Sequence, residues 1–410
     1  MRRPDCFAIK IVAAADDRLA LLAKVAPWFA LAYAVLWAMS LDPSHAIPRD
    51  GTGLVVGRDF LNLWMAGKAA WGPDPARFYD LATYQAAMVP YVGAQYHGQV
   101  WSYPPSVMLV AAPFGLLPYL PALILWTMIG PFVFWCSLRG WTEDRLVIVA
   151  SLLCPAAVFG LISGQFFYLG AALILTVLRW RHARPVAAGA LLGLLTIKPQ
   201  LGLFFPILLL AERNWRGIAS AAFVGGLIIA VTSLLWGVET WTAYLGEGAV
   251  TQSRVLSDPE RLGAPFMPTI FMNLRTIDVP VGAAYAIQVA ASLVAAGLIF
   301  WSFSKPRVDA ATGSALFLAC ATFGTPYLLS YDTLAFATAV LLAAPPNTTG
   351  RYLTFGVWFL TLLQLAAGSA GLPGPALIAV TVAVYLVRQA ASSTWVDQRN
   401  WPTGRTQSSE

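Results

Sequence analysis

Apolar residues fall in long runs separated by polar clusters. The runs lie at about 26–41, 105–120, 122–138, 146–162, 165–180, 186–211, 217–236, 281–303, 309–328, 331–344, 351–369 and 374–388. They are continuous, which excludes the in-out alternation of a transmembrane barrel. Roughly 17–25 such residues cross a bilayer as a helix, so the pattern predicts an all-α polytopic membrane bundle with about 10–13 spans.

Two longer polar regions interrupt the series, at 42–103 and 237–280. Inside the first, apolar positions 60, 61, 64, 65 and 71 recur at helical spacing. Asp74 to Tyr91 reads as a second short helix carrying Phe78, Tyr79, Tyr84 and Met88. Both are expected to lie in the membrane interface with aromatics at headgroup depth. Tyr103-Pro104-Pro105 marks the return to the membrane, since proline loses nothing in a first helical turn. The second region carries Trp241, Tyr244, Glu247, Arg254, Asp258, Glu260, Arg261, Asn273 and Arg275. No internal repeat is apparent, so 1–395 is expected to form one integral domain, followed by a polar tail at 396–410.

Composition agrees. Of 410 residues, 58% are hydrophobic and 11% charged, too apolar for a chain whose surface must stay wet. The net charge of +6 does not call for a nucleic-acid partner. Its basic residues cluster in short loops, at 179–184, 213–216 and 305–307, as expected of cytoplasmic loops. Arg2, Arg3, Arg18 and Lys24 precede the first run, which has no convincing cleavage site. A retained first helix with a cytoplasmic N-terminus follows, and both long polar loops are then external. Cys6, Cys136, Cys154 and Cys320 are scattered without metal spacing and read as packing residues. No ATP-binding loop, zinc cluster, Ser-His-Asp set or DxD pair is present, and no cofactor is called for.

The basic clusters near 180 and 213 must share a side, which requires an even number of crossings between them. The stretch 186–211 is too short for two passes at ~1.5 Å per residue. Either one kinked helix fills it, or two short helices meet at Ile197-Lys198-Pro199-Gln200, which is tolerated if the break lines a protein cavity. The second is favoured because a Lys followed by Pro is costly to bury otherwise.

Few side chains can carry chemistry. Asp59, with Arg58 and Asn62 beside it, precedes a helix just after the first span. It is either a general base at the membrane surface or a helix N-cap. Gln165, in Ser163-Gly164-Gln165, serves a tight turn or a sugar or phosphate oxygen. Lys198 costs on the order of 2.5–3.5 kcal/mol in a membrane run and needs a partner. That partner is a lipid phosphate or pyrophosphate, or an internal acid, unless the side chain snorkels to the interface. Asp332 is a second external carboxylate or a helix cap, and His97 reads as a solvated loop residue.

The segments Gly57-Arg58-Asp59-Phe60, Tyr103-Pro104-Pro105, Ala112–Pro118, Ser163-Gly164-Gln165, Ala188–Gly193 with Ile197-Lys198-Pro199, and Thr325-Pro326-Tyr327 with Tyr331-Asp332 together resemble glycosyltransferase family 87. The resemblance implies a GT-C fold, a polyprenyl-phosphate sugar donor, usually mannose, and inverting transfer on the external face. It implies Asp59 as catalytic base and Lys198 near the donor phosphate. Arg58, Asn62, Tyr103, Gln165 and Asp332 are the remaining expected substrate contacts. Asn62, Lys68 and the 237–280 loop match no family segment, so the acceptor, a lipid or glycan hydroxyl, stays open. The expected location is a bacterial inner (plasma) membrane, serving the cell envelope. The alternative is a lipid or solute transporter with Lys198 in its binding site. An O-antigen ligase or polymerase type would carry its large loop late, whereas here the longest comes first.

Overall fold

The computed structural model describes residues 17–96, 99–257, 264–304, 309–343, 345 and 347–392. Cys6, His97, Asp258, Glu260, Arg261, the basic cluster at 305–307 and the polar tail lie outside the described residues.

The described chain is helical, with extended pairing limited to isolated bridges of Arg49 with Asp42 and Val55. Four helices are long and apolar enough to cross a bilayer: Asp17–Met39, Tyr119–Arg139, Trp215–Trp236 and Val281–Phe303. Two bent pairs raise the number to six, Arg145–Leu152 with Pro155–Ile162 (43°) and Thr348–Trp358 with Leu360–Ser369 (64°). Proline at the start of Pro155–Ile162 accounts for the first bend, because it cannot continue the preceding ladder. The long helices turn large apolar side chains outward, with Phe223 70% and Leu234 86% exposed. Water would penalise that surface and lipid does not. Shorter apolar helices, including Phe167–Trp180, Ala310–Gly324 and Leu334–Ala343, fill the interior and are buried on nearly all sides.

Three expectations change. The first helix begins at Asp17 rather than near 26. Arg18 is buried, but its guanidinium donates to the Pro345 carbonyl at 2.5 Å, which shelters a charge that lipid would reject. The run at 105–120 is not a span. Its helix, Val107–Gly115, has nine residues and reaches only about 13 Å. It packs against Phe60–Ala70 so closely that a Cβ on Gly67 would lie 2.3 Å from the Ala111 carbonyl oxygen, and one on Gly115 2.1 Å from the Gly67 carbonyl carbon.

The third change concerns the first loop. Phe60–Ala70 starts where the spacing predicts, yet Phe60 through Gly67 are all buried. Val107–Gly115 and Tyr119–Arg139 cover it, so it lies inside protein and not in the headgroups. Phe60, Trp64, Tyr84, Trp101, Phe114 and Trp126 belong to a second hydrophobic core built on this loop. The segment from Asp74 to Tyr91 divides into a 3-10 turn, Pro75–Tyr79, and a helix, Leu81–Val92, capped by Asp80. The loop is therefore a packed subassembly, rigid enough to hold a side chain in place.

The stretch at 186–211 forms the expected broken hairpin. Pro185–Gly193 continues as the 3-10 turn Leu194–Ile197, and Lys198 (φ −137°, ψ 74°) interrupts the helix before Pro199–Gly202. Phe205–Ala211 then returns. Each arm is about 20 Å long, well short of the ~30 Å hydrocarbon core. At the open end, Arg181 Nε meets Glu212 Oε1 at 2.9 Å and Asn214 Nδ2 donates to the Arg181 carbonyl at 2.6 Å. The basic clusters near 180 and 213 thus share one end of the bundle, and the break at Lys198 lies deep within it.

Gly115→Ala is expected to lower stability by about 1–3 kcal/mol, because backbone meets backbone there and nothing can yield. Gly226→Ala, in a helix with open space around the added methyl, is the control and should melt no lower than wild type in detergent.

Candidate active site

Gly57 (φ +80°) and Arg58 (φ +33°) turn the chain sharply into Phe60–Ala70. Gly164 (φ +64°) makes a similar turn between Pro155–Ile162 and Phe167–Trp180. The two turns press together: a Cβ on Gly164 would lie 2.6 Å from both the Gly57 carbonyl oxygen and the Phe60 Cβ. Trp126 Nε1 donates to the Gly164 carbonyl at 2.9 Å, and the Asp59 amide donates to the Ser163 carbonyl at 2.9 Å. Two segments a hundred residues apart in sequence thereby fix one carboxylate.

Asp59 occupies the N-cap position, but its side chain caps no amide of the helix. Instead the Tyr331 hydroxyl donates to Asp59 Oδ2 at 3.3 Å. The carboxylate borders a cavity of about 1180 Å³ enclosed between the first loop, the Lys198 break and the second loop. Burial pushes its carboxyl above the ordinary range. The side chains of Gln165 and Tyr331 and the charges of Lys198 and Arg58 pull the other way without cancelling that effect. A carboxyl so placed holds a proton more readily than one in water, a property expected of a general base.

The supporting polar residues form a scaffold. Asn62 Nδ2 donates to Gln99 Oε1 at 2.8 Å, and the Tyr84 hydroxyl donates to Asn62 Oδ1. Gln99 Nε2 in turn donates to the Arg58 carbonyl at 3.1 Å. Gln165 Nε2 donates to the Tyr103 hydroxyl at 2.9 Å. Arg58 Nε meets Asp50 Oδ2 at 2.7 Å. Burial opposes the charge of Asp50 as well, but hydrogen bonds from Thr52 and the contact with Arg58 outweigh it and hold that carboxyl below the usual range. Two aspartates of one loop are thus driven in opposite directions.

Lys198 Nζ meets Asp332 Oδ1 at 2.6 Å, with both side chains buried, and sits 5.4 Å from the centre of the Tyr331 ring. The partner of this intramembrane cation is therefore an internal acid. Asp332 lies in the 3-10 turn Ser330–Thr333, behind Lys198 and away from the cavity wall, and its Oδ2 has no hydrogen-bond partner. Ser106 Oγ donates to the Thr196 carbonyl at 2.9 Å, so the end of the first loop satisfies one of the groups freed at the break. Ile197, Lys198, Pro199 and Gln200 all line the cavity.

Of the residues singled out in the sequence, Arg58, Asp59, Asn62, Tyr103, Gln165 and Lys198 converge on this one cavity. Sequence reasoning missed Tyr331, although it adjoins Asp332, and Gln99, which lies in a stretch without periodicity. It also left the second loop unassigned, whereas Ala249–Ser257 forms part of the cavity wall and Ser102 Oγ reaches Gln252 Oε1 at 2.9 Å. Among the described residues no three His, Cys, Asp or Glu side chains gather as a metal site would require.

The model of the family described as glycosyltransferase family 87 matches residues 101–331. The chain belongs to glycosyltransferase family 87. The family's description speaks for the glycosyltransferase reading and lends no support to the transporter one. Tyr103, Gln165, Lys198 and Tyr331 fall inside the matched stretch, while Asp59 and Asp332 lie outside it. Two curated relatives, the alpha-(1->3)-arabinofuranosyltransferases of Mycobacterium tuberculosis strains CDC 1551 / Oshkosh and ATCC 25618 / H37Rv, are each 26% identical over 208 residues. That similarity covers 45% of the family 87 chain and 47% of each relative, so the chain spans about half the length of the curated relatives it matches. No solved structure matches it.

The buried ion pair yields a stability test. Lys198→Ala strands Asp332 and is expected to cost about 3–5 kcal/mol. The double variant Lys198→Met/Asp332→Leu removes both charges and should cost much less in the same thermal melts.

Proposed function

We propose that this enzyme transfers a sugar from a polyprenyl-phosphate donor to a lipid or glycan hydroxyl, with Asp59 as general base. The observation that carries the reading is the Asp59 carboxylate itself. It faces a roomy cavity, is released from capping its own helix and is held by Tyr331.

The chemistry balances on one carboxylate. Asp59 takes the proton of the acceptor hydroxyl as that oxygen forms its bond to the anomeric carbon. The bond from that carbon to the phosphate oxygen breaks, and polyprenyl phosphate departs with the electron pair. Attack opposite the leaving group inverts the anomeric centre. A phosphate is already a competent leaving group once cationic or hydrogen-bonding groups face it.

The donor sugar in this reading is a hexose, mannose. The names of the curated relatives supply the rival, an arabinofuranosyl donor. The active face is external, on a bacterial inner membrane. The basic ends of the broken hairpin support this, since cations concentrate on the cytoplasmic side. The cavity lies at the other end of the hairpin, at its Lys198 tip.

The test supplies purified protein with labelled polyprenyl-phosphate mannose and candidate envelope acceptors. Labelled, glycosylated acceptor is expected without any ion gradient. Transfer from an arabinofuranosyl donor alone would correct the sugar, and turnover in neither case would sink the donor class. Asp59→Asn is expected to lose about 100- to 10,000-fold in turnover, the usual worth of a general base. Near-normal turnover in that variant would remove Asp59 from the mechanism.

Stability and pH give a second check. A carboxyl with a raised folded-state pKa favours folding most below its unfolded value of about 4, and that contribution is lost as pH rises through the folded value. At pH 7, therefore, Asp59→Asn should melt no lower than wild type while failing to transfer. The acid limb of the pH–rate profile should lie above the ordinary carboxylate range. Tyr331→Phe, which removes a hydrogen bond to the charged form, should move that limb higher still.

A further inference from the structure

Three cations line the cavity among the described residues: Arg58, Lys198 and Arg254. Asp50 neutralises the first and Asp332 the second, and both acids stand behind the wall rather than on it. Arg254 is different. It is exposed, sits on Ala249–Ser257 of the second loop, and forms no ion pair among the described residues. Among the described residues the lining therefore holds one cation without an acid partner, Arg254, and one carboxylate, Asp59.

The walls differ in chemistry as well. Asn62, Gln99, Gln165 and Gln200 give the floor amide groups, which suit sugar hydroxyls. Beside Arg254 the wall becomes apolar, through Val255, Leu256, Met267, Tyr285 and Leu329. A ligand that satisfies both walls carries hydroxyls at one end, an anion in the middle and a hydrocarbon chain at the other. The helix bearing Arg254 is docked over the floor by the bond between Gln252 and Ser102.

We propose that Arg254 binds the phosphate of the isoprenoid carrier, with the chain leaving across the adjacent apolar wall, and that Lys198 is not the phosphate ligand. The proposal rests on the donor class argued above. Arg254 is suited to the role because its planar fork pairs with phosphate oxygens in two parallel hydrogen bonds, and its charge does not depend on pH. Lys198 keeps donors to spare, but its charge is already neutralised by a buried acid, so it offers an anion less than Arg254 does. The bland alternative is a solvated Arg in the last turn of a short helix, favoured only by the helix dipole.

The probe is undecaprenyl phosphate, bound at equilibrium to the full chain in nanodiscs of zwitterionic lipid. Binding is measured on the Asp59→Asn protein, so that turnover plays no part. Adding Arg254→Gln is expected to weaken binding about 10- to 100-fold, the usual worth of hydrogen bonds between charged groups. Arg254→Lys should recover part of the loss. In the otherwise wild-type enzyme, Arg254→Gln should raise the donor KM with a smaller change in kcat, and it should leave the melting temperature unchanged. Equal affinity with and without Arg254, in a protein that does bind the probe, overturns the assignment and leaves the donor class standing. Failure of the parent protein to bind undecaprenyl phosphate at all overturns both.

Discussion

The position of Asp59 depends on a contact between two turns that leaves no room for a side chain. Gly164 meets the backbone at Gly57 and the side chain of Phe60, and the Asp59 amide is tied to the Ser163 carbonyl across the same junction. Close packing of this kind transmits small errors directly, since neighbouring atoms cannot move aside. A methyl group at Gly164 would push the first loop off the bundle and swing the carboxylate from the cavity. The wider shell serves the same end. Gln99 holds the Arg58 carbonyl, Asn62 holds Gln99, and Trp126 closes over Gly164. A polar group needs such support when a displacement of about 1 Å can cost 10²-fold in rate.

Charge is the second organising constraint. The membrane-facing part of this chain tolerates almost no ions, and those it keeps inside are paired or held by backbone carbonyls. Lys198 has Asp332, Arg181 has Glu212, and Arg18 has the Pro345 carbonyl. A buried pair adds little to stability by itself, because desolvation offsets most of the attraction. Its value here is geometric. Lys198 occurs at the tip of the broken hairpin, and its carboxylate partner adjoins Tyr331, which bonds to Asp59. The break, the ion pair and the candidate base are therefore linked through two consecutive residues.

Much of this was legible in the sequence, for identifiable reasons. Apolar runs report membrane helices because lipid selects composition directly. The hairpin at 185–211 was legible because a stretch too short for two passes, with a Lys followed by Pro at its middle, favours two short helices over one kinked one. Asp59 stood out because charge is scarce. What stayed hidden depends on distance in sequence. Nothing local marks Val107–Gly115 as a helix packed on Phe60–Ala70 rather than a span, because two glycines decide it from different segments. Likewise no spacing rule links Lys198 with a carboxylate 134 residues later, or Tyr331 with one 272 residues earlier. The first loop read as interfacial because helical periodicity reports an apolar face and not what covers the other one.

The wide separation of Lys198 from Asp332 also constrains the order of assembly. As the chain emerges from the ribosome, the hairpin tip is made long before its counter-ion. Neither arm is long enough to reach the far side of the bilayer, and an ammonium at that depth has no stable resting place in hydrocarbon. The Lys198 ammonium therefore stays without its acid partner until the turn at 330–333 has been synthesised. A chain stalled before residue 332 holds every polar group of the cavity floor, but its Lys198 ammonium has no counter-ion.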